Sequence, residues 1–332
     1  MTNSPKKLLT FSSGGWVLLL AIFFTGIAAF LVLLPVYQTG FRHAIGDGVH
    51  PDTYGFDLSR LAIPAAKLIA SGQPKDGIRA IPAKLVETIS PAEVDLIAKN
   101  EHIRFLVPDD RVIGIQFNGV TRAYPVRVLA VHEVVNDTLA DGFPLCITYS
   151  PLCDSIVLFD RRIDGPNAPP AEFGVSGLLV NSNLVLFDRR SNPAQESLWT
   201  QLSLAAISGP KVGQRFTLIP YELTTWSDWR ARHPDTRVLL GLRTLKREYG
   251  SEPYNTYFAD DTLRFPVDPL WSDPARPKKS RIIATSPDGL RWTASRAPTV
   301  GALTPATAKS DPYRIHAFLF AWYAFHQADT QY

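Results

Sequence analysis

A chain of 332 residues with 45% hydrophobic and 11% aromatic positions is long and apolar enough to bury a large core, which excludes disorder as its default state. Lysine and arginine number 34 against 31 aspartates and glutamates, a net charge of +3, and so small an excess gives no field to steer nucleic acid or an acidic partner. No nucleic-acid recognition motif or basic stripe offsets that reading, so nucleic acid is set aside as a partner.

The N-terminus reads as a membrane anchor. No charged residue occurs from Leu8 to Phe41, and Trp16 to Val36 is almost continuously apolar, matching the roughly 20 residues that cross about 30 Å of hydrocarbon. Lys6 and Lys7 precede this stretch, whereas Asp47 and Asp52 join Arg42 and His43 after it, so the positive-inside rule places the short N-terminus in the cytoplasm. A cleaved signal peptide competes, but its apolar region would run to only about 7 to 15 residues and would end in an Ala-x-Ala site. The expectation is a cytoplasmic segment over 1–13, a transmembrane signal anchor over 14–37, a juxtamembrane linker over 38–54 and an extracytoplasmic domain, periplasmic or at the cell surface, over 55–332.

Within that domain Leu61 to Ala70 has helical spacing. Ser90-Pro91-Ala92-Glu93 sets a capping box for a helix to about Lys99. Val112 to Phe117, Asn118-Gly119 and Val120 to Tyr124 form the signature of a hairpin with a type I′ turn. Pro125 then opens a helix predicted to run to Asp137, which at about 100° per residue gathers His132, Glu133, Asn136 and Asp137 on one face. Strands follow at Leu145 to Tyr149 and Ser155 to Phe159 about the turn Ser150-Pro151-Leu152-Cys153. Another hairpin spans Glu172 to Asp188 through Asn181-Ser182-Asn183, and a short helix begins near Trp226 and ends before His233-Pro234. Val238 to Leu240 returns to strand, and the apolar run Ile315 to Phe325 is about half a membrane helix, hence a core element. The fold class is α+β: a single antiparallel, β-rich globular domain with short helices, preceded by one transmembrane helix.

The two cysteines, Cys146 and Cys153, allow one disulfide or none. They fall in the segment Tyr124 to Arg162, which has the densest set of reactive groups in the chain.

Several ordered stretches carry a resemblance to the bacterial DUF3179 family. These are Arg122-Ala123-Tyr124-Pro125, His132-Glu133-Val134-Val135-Asn136-Asp137, Thr148-Tyr149-Ser150-Pro151-Leu152-Cys153, Phe173 to Leu178, Asn181-Ser182-Asn183 with Asp188-Arg189, Ser197 to Gln201, Ala206 to Pro210, His233 to Thr236 and Pro253 to Tyr257. The resemblance covers roughly Gly55 to the C-terminus and implies an exported or membrane-attached protein of unassigned activity. Many relatives carry Cys-x-x-Cys in the turn that here begins with Ser150, and this departure weakens a paired-thiol metal or redox role.

Three chemistries compete for the segment. His132 and Cys153 could bind copper or zinc as metal ligands, with Glu133 or Asp137 orienting the ring. Cys153 could act as a nucleophile with His132 as base and Asn136 or Asp137 as orienter. His132-Glu133-x-x-Asn136 lacks the second histidine of a zinc-protease helix, which rules that motif out. Trp199, Trp226, Trp229, Trp271, Trp292 and Trp322 read as core or rim. The leading reading is a metal-dependent or small-molecule activity centred on His132, Glu133 and Cys153, with Asn136, Asp137, Tyr149 and Ser150 as binding residues. The alternative is a noncatalytic binding or scaffold domain in which these groups form a structural polar network.

Overall fold

The structure, a computed structural model, describes residues 16–17, 19–27, 30, 45–100, 105–245, 247–251, 253–297 and 313–327. The chain divides into two compact units, 1–44 and 45–332.

The expected membrane anchor over 14–37 is corrected here. Among the described residues no helix is long and apolar enough to cross a membrane. Part of 14–37 lies outside the described residues. The single-pass topology, the membrane partner and the extracytoplasmic placement all rested on that anchor and lose their support with it.

In the second unit, β1 (Leu68–Ala70) and β2 (Thr88–Ile89) precede helix α1 (Pro91–Asn100). The hairpin β3 (Arg111–Phe117) and β4 (Val120–Pro125) leads into α2 (Val126–His132), then β5 (Val134–Thr138), β6 (Pro144–Ser150) and β7 (Ser155–Asp160). A second hairpin, β8 (Glu172–Val180) and β9 (Asn183–Arg189), is followed by β10 (Leu198–Thr200), β11 (Ala205–Ala206) and β12 (Glu222–Thr225). The chain closes with α3 (Trp226–Arg232), β13 (Arg237–Leu239), α4 (Asn255–Phe258), β14 (Arg281–Ser286), β15 (Thr293–Arg296), β16 (Tyr313–Phe318) and α5 (Leu319–Phe325).

These strands form three sheets, in the orders β1-β8-β9-β10-β11, β12-β3-β4-β13-β2 and β15-β14-β16-β7-β6-β5. Every pairing is antiparallel except β13 with β4. The α+β, antiparallel-rich part of the expectation therefore holds.

Local chemistry explains the hairpins. Asn118 and Gly119 take φ of 49° and 78°, and Asn181 and Ser182 take 51° and 61°, so both turns are two-residue connections with both central residues left-handed, the geometry that matches strand twist. At α1, Ser90 Oγ accepts from the Glu93 amide at 3.3 Å, while the Ser90 amide donates back to Glu93 Oε2 at 2.7 Å, closing the capping box. Thr225 caps α3 by accepting from the Asp228 amide at 3.2 Å.

Two helical expectations are corrected. Over Leu61 to Ala70 there is one 3-10 turn, Ala65–Lys67, and then β1, where pairing of Leu68 with Val180 overrides local periodicity. The helix from Pro125 stops at His132, because Glu133 adopts φ 58° and ψ −32° and the tandem valines Val134 and Val135 begin a strand. With a strand's period of two, Asn136 and Asp137 point to opposite faces of the sheet, so the proposed shared polar face does not exist.

The core explains the rigidity of the centre. Phe216 stacks between Phe159 and Trp199, with ring centroids 3.8 and 5.0 Å away. Strands β6 and β7 are buried almost throughout. Trp199, Trp226, Trp229, Trp292 and Trp322 are all buried, and Ile315 to Phe325 enters the core as the end of β16 and α5 rather than as one element.

Candidate functional site at the turn between β6 and β7

His132, Asn136 and Asp137 are each saturated by neighbours. The His132 ring binds the Arg79 carbonyl through Nδ1 at 2.6 Å and the Tyr249 hydroxyl through Nε2 at 2.7 Å. Burial lowers its pKa, so the ring is neutral and neither nitrogen is left for a metal or a proton relay. Asn136 donates to the Phe173 carbonyl at 2.9 Å and accepts from the Phe173 amide at 2.8 Å, tying β5 to β8. Asp137 accepts from Arg122 at 2.8 Å, from Tyr124 at 2.7 Å and from the Thr138 amide at 2.7 Å. Around these residues runs an extensive buried network: Arg161 donates to the carbonyls of Leu145, Ala171 and Asp137, and Gln201 and Asn183 bridge Thr148 and Ser155. With the aromatic stack, this is what a structural scaffold requires.

The thiols are equally enclosed. Cys146 and Cys153 are free and fully buried. Cys146 pairs with Phe159 inside the sheet, four residues before the end of β6, and at about 3.3 Å per residue those four strand residues put it roughly 13 Å from the turn, too far for a disulfide with Cys153. Cys153 Sγ donates to the Ser182 carbonyl at 3.3 Å, and its amide donates to the Ser150 carbonyl at 3.1 Å. Burial pushes its pKa up to about 12, the reverse of what a nucleophile needs. Among the described residues no group of three or more His, Cys, Asp or Glu is placed to hold a metal ion, so the copper or zinc reading gains no support.

Strain and charge instead collect beside this turn. Glu133 and Asp154 both have positive φ without being glycine, a conformation that costs of order 1–3 kcal/mol for each residue. Asp154 is the hub. Its carboxylate accepts both terminal nitrogens of Arg111 at 3.0 and 2.8 Å, Nε of Arg281 at 2.6 Å and the Tyr149 hydroxyl at 2.7 Å. Burial alone would raise its pKa, but the two guanidinium groups outweigh burial and hold it at about 2. Reciprocally, burial disfavours the Arg111 charge, and Asp154 more than restores it.

This hub forms one wall of a cavity of about 270 Å³. Arg111 and Tyr149 line it from the sheets, Val126, Arg127 and Ala130 from α2, and Tyr254, Asn255 and Phe258 from the segment at α4. Arg127 is tied to Asp110 at 2.5 Å and to the Tyr249 carbonyl at 2.9 Å. Glu133 lies one turn beyond Ala130 and is 8% exposed. Its carboxyl makes no hydrogen bond among the described residues, and burial raises its pKa to about 8.

Of the residues singled out from sequence, Tyr149 reaches the cavity, Glu133 is buried at the end of α2, and Ser150 and Cys153 build the turn between β6 and β7. His132, Asn136 and Asp137 belong to the scaffold. Sequence reasoning missed Arg111, Arg127, Asp154, Tyr254 and Arg281. Asp154 directly follows the turn and Tyr254 lies in one of the family-like stretches, which were signals; Arg111 and Arg281, at strand starts, stand in no motif that would single them out.

Fold and site together define an α+β domain with a buried polar scaffold and an arginine-lined cavity. The family model described as "Protein of unknown function (DUF3179)" matches residues 75–310, and the chain belongs to that family. No curated protein and no solved structure matches it.

Proposed function

We propose that residues 45–332 form a noncatalytic binding domain, scaffolded by the buried polar network, whose ligand is a small molecule carrying an anionic group. The observation that carries this reading is the charge balance on the cavity wall: two guanidinium groups, Arg111 and Arg281, share the single carboxylate of Asp154. Arg127 is balanced by Asp110, and Asp109 stands exposed at the rim. Counted with Asp109 the lining as a whole is neutral, so the excess is local: beside Asp154 there is one guanidinium more than there are carboxylates. Arg281 supplies it, since it gives only Nε to Asp154 and its side chain is 49% exposed. A guanidinium with its terminal nitrogens available is the group best matched to a carboxylate or phosphate. The cavity is at the small end of ligand sites, which favours a metabolite-sized anion.

Calorimetric titration with acetate, succinate and inorganic phosphate tests this. At least one should bind, and Arg281→Ala should weaken it tenfold or more. No binding by any of the three, or equal binding to the variant, removes the proposal.

A further inference from the structure

We infer that the anion taken by this cavity is a single-ring aryl carboxylate, its carboxylate on Arg281 and its ring against Tyr254 and Phe258. The inference rests on the cavity reading above and adds the body of the ligand.

The two rings are set by α4. The Phe258 amide donates to the Tyr254 carbonyl at 2.9 Å, and residues four apart stand on one face of a helix. Their ring centroids lie 6.2 Å apart with planes 27° from parallel, and both rings line the cavity, half-buried. The helix is anchored by Tyr257, which is buried and donates its hydroxyl to the Leu152 carbonyl at 2.9 Å.

Arg281 belongs to the same surface. Its guanidinium carbon lies 5.9 Å from the Phe258 ring centre and 5.7 Å from that of Phe318, within cation–π range. An anionic group held by Arg281 therefore sits beside the Phe258 ring, and whatever is attached to that group meets an aromatic surface at once.

The other polar groups of the lining are spent on one another. Arg111 gives both terminal nitrogens to Asp154, and Tyr149 donates its hydroxyl there. Arg127 is held by Asp110 and the Tyr249 carbonyl, and Ser251 donates to the Glu248 carbonyl at 2.6 Å. Val126, Ala130 and Pro253 add apolar surface, and Asp109 at the rim repels a second negative charge. A polyol or a dicarboxylate would give up hydration here without replacing it. A ring leaves water favourably and gains contact with two aromatic faces. The volume of about 270 Å³ suits one ring rather than a fused system.

Calorimetric titration of the full chain with benzoate, cyclohexanecarboxylate and acetate tests the ring. Benzoate should bind about tenfold more tightly than acetate, and more tightly than cyclohexanecarboxylate, whose puckered ring stacks poorly. Phe258→Ala should weaken benzoate about tenfold and leave acetate nearly unchanged. Tyr254→Leu keeps an apolar side chain, should weaken benzoate several-fold, and serves if Phe258→Ala does not fold. The aromatic ring is wrong, and the anion reading stands, if Arg281→Ala weakens both acids while benzoate has no advantage over acetate or loses none of it in the two ring variants. Cyclohexanecarboxylate binding as tightly as benzoate overturns the aromatic ring in the same way. Failure of benzoate to bind sinks the aryl carboxylate and leaves the cavity reading to acetate, succinate and phosphate. If Arg281→Ala leaves every bound anion unchanged, both are wrong.

Discussion

Asn136 with Asp137, and Glu133 with Asp154, are polar pairs from neighbouring parts of one segment, yet they are treated in opposite ways. Asn136 and Asp137 sit in relaxed strand geometry with their hydrogen bonds made. Glu133 and Asp154 sit at positive φ, one with no partner and the other shared among three donors on a cavity wall. A fold gains nothing in stability from a strained, unpartnered acid, whereas a binding site can use one. The first pair is therefore architecture, and the second is the place to look for a ligand.

The largest effect that would sharpen this contrast lies in the closed network. Asp137→Ala leaves Arg122 and the Tyr124 hydroxyl facing each other in the interior without their common acceptor, and should cost about 3–5 kcal/mol, read from denaturant unfolding. Replacing Arg122 by Met in the same chain should restore part of that loss, because the uncompensated charge goes with it. A loss below about 1 kcal/mol would mean that the network is not structural.

Next in size is Asn136→Ala. It removes the side chain that ties β5 to both the amide and the carbonyl of Phe173, and an expected cost of about 2 kcal/mol follows from leaving those groups unsatisfied. Ligand binding by whatever protein remains folded should be unchanged, which separates scaffold from site.

Much of the architecture was legible because it is written in local chemistry. The Asn118-Gly119 turn, the Ser90 to Glu93 capping box and the strands flanking Ser150 to Cys153 each follow from a few adjacent residues. The break at Glu133 was not legible. Helical periodicity and tandem valines compete over 125–137, and the contest is settled by β5 pairing with β6, a tertiary term that no local window contains. The site suffered for the same reason. Residues 111, 154, 254 and 281 meet only after two sheets and the segment at α4 come together, while the residue types that drew attention, histidine and cysteine, were absorbed by the core. The apolar N-terminal stretch shows the converse: composition matched a membrane span, yet among the described residues no helix is long and apolar enough to cross a membrane.

A smaller and pH-dependent effect distinguishes Glu133 from its neighbours. An acid whose pKa rises from 4.5 to about 8 on folding keeps its proton in the native state while the unfolded chain loses it. Stability should therefore be greatest below about pH 4.5, fall as pH rises through the window to about 8, and level off above it. Asp154 moves the other way, its contribution being present above its ordinary range and lost as pH falls towards about 2. Glu133→Gln should flatten the decline between pH 5 and 8 in denaturant unfolding. An unaltered slope would show that Glu133 is ionised and paired in solution, and the contrast with Asp137 would vanish.

The smallest expected effect is an absence of reaction, and it decides what kind of site this corner is. Cys153 lies next to Asp154 but is fully buried, hydrogen-bonded to Ser182 and raised to about 12, and Cys146 is raised further by burial. The thiolate is the reactive species, so at pH 8 the native protein should resist a thiol-labelling disulfide reagent at both positions and react at both only on unfolding. Cys153→Ser should leave anion binding where it was. Rapid native labelling confined to Cys153 would reverse the ranking, since an accessible thiolate beside an unpaired acid at a strained turn is the arrangement a covalent catalyst needs. Slow labelling that tracks unfolding keeps Cys153 as the packing behind Asp154, and leaves the arginine wall as the chemistry proposed to meet the ligand.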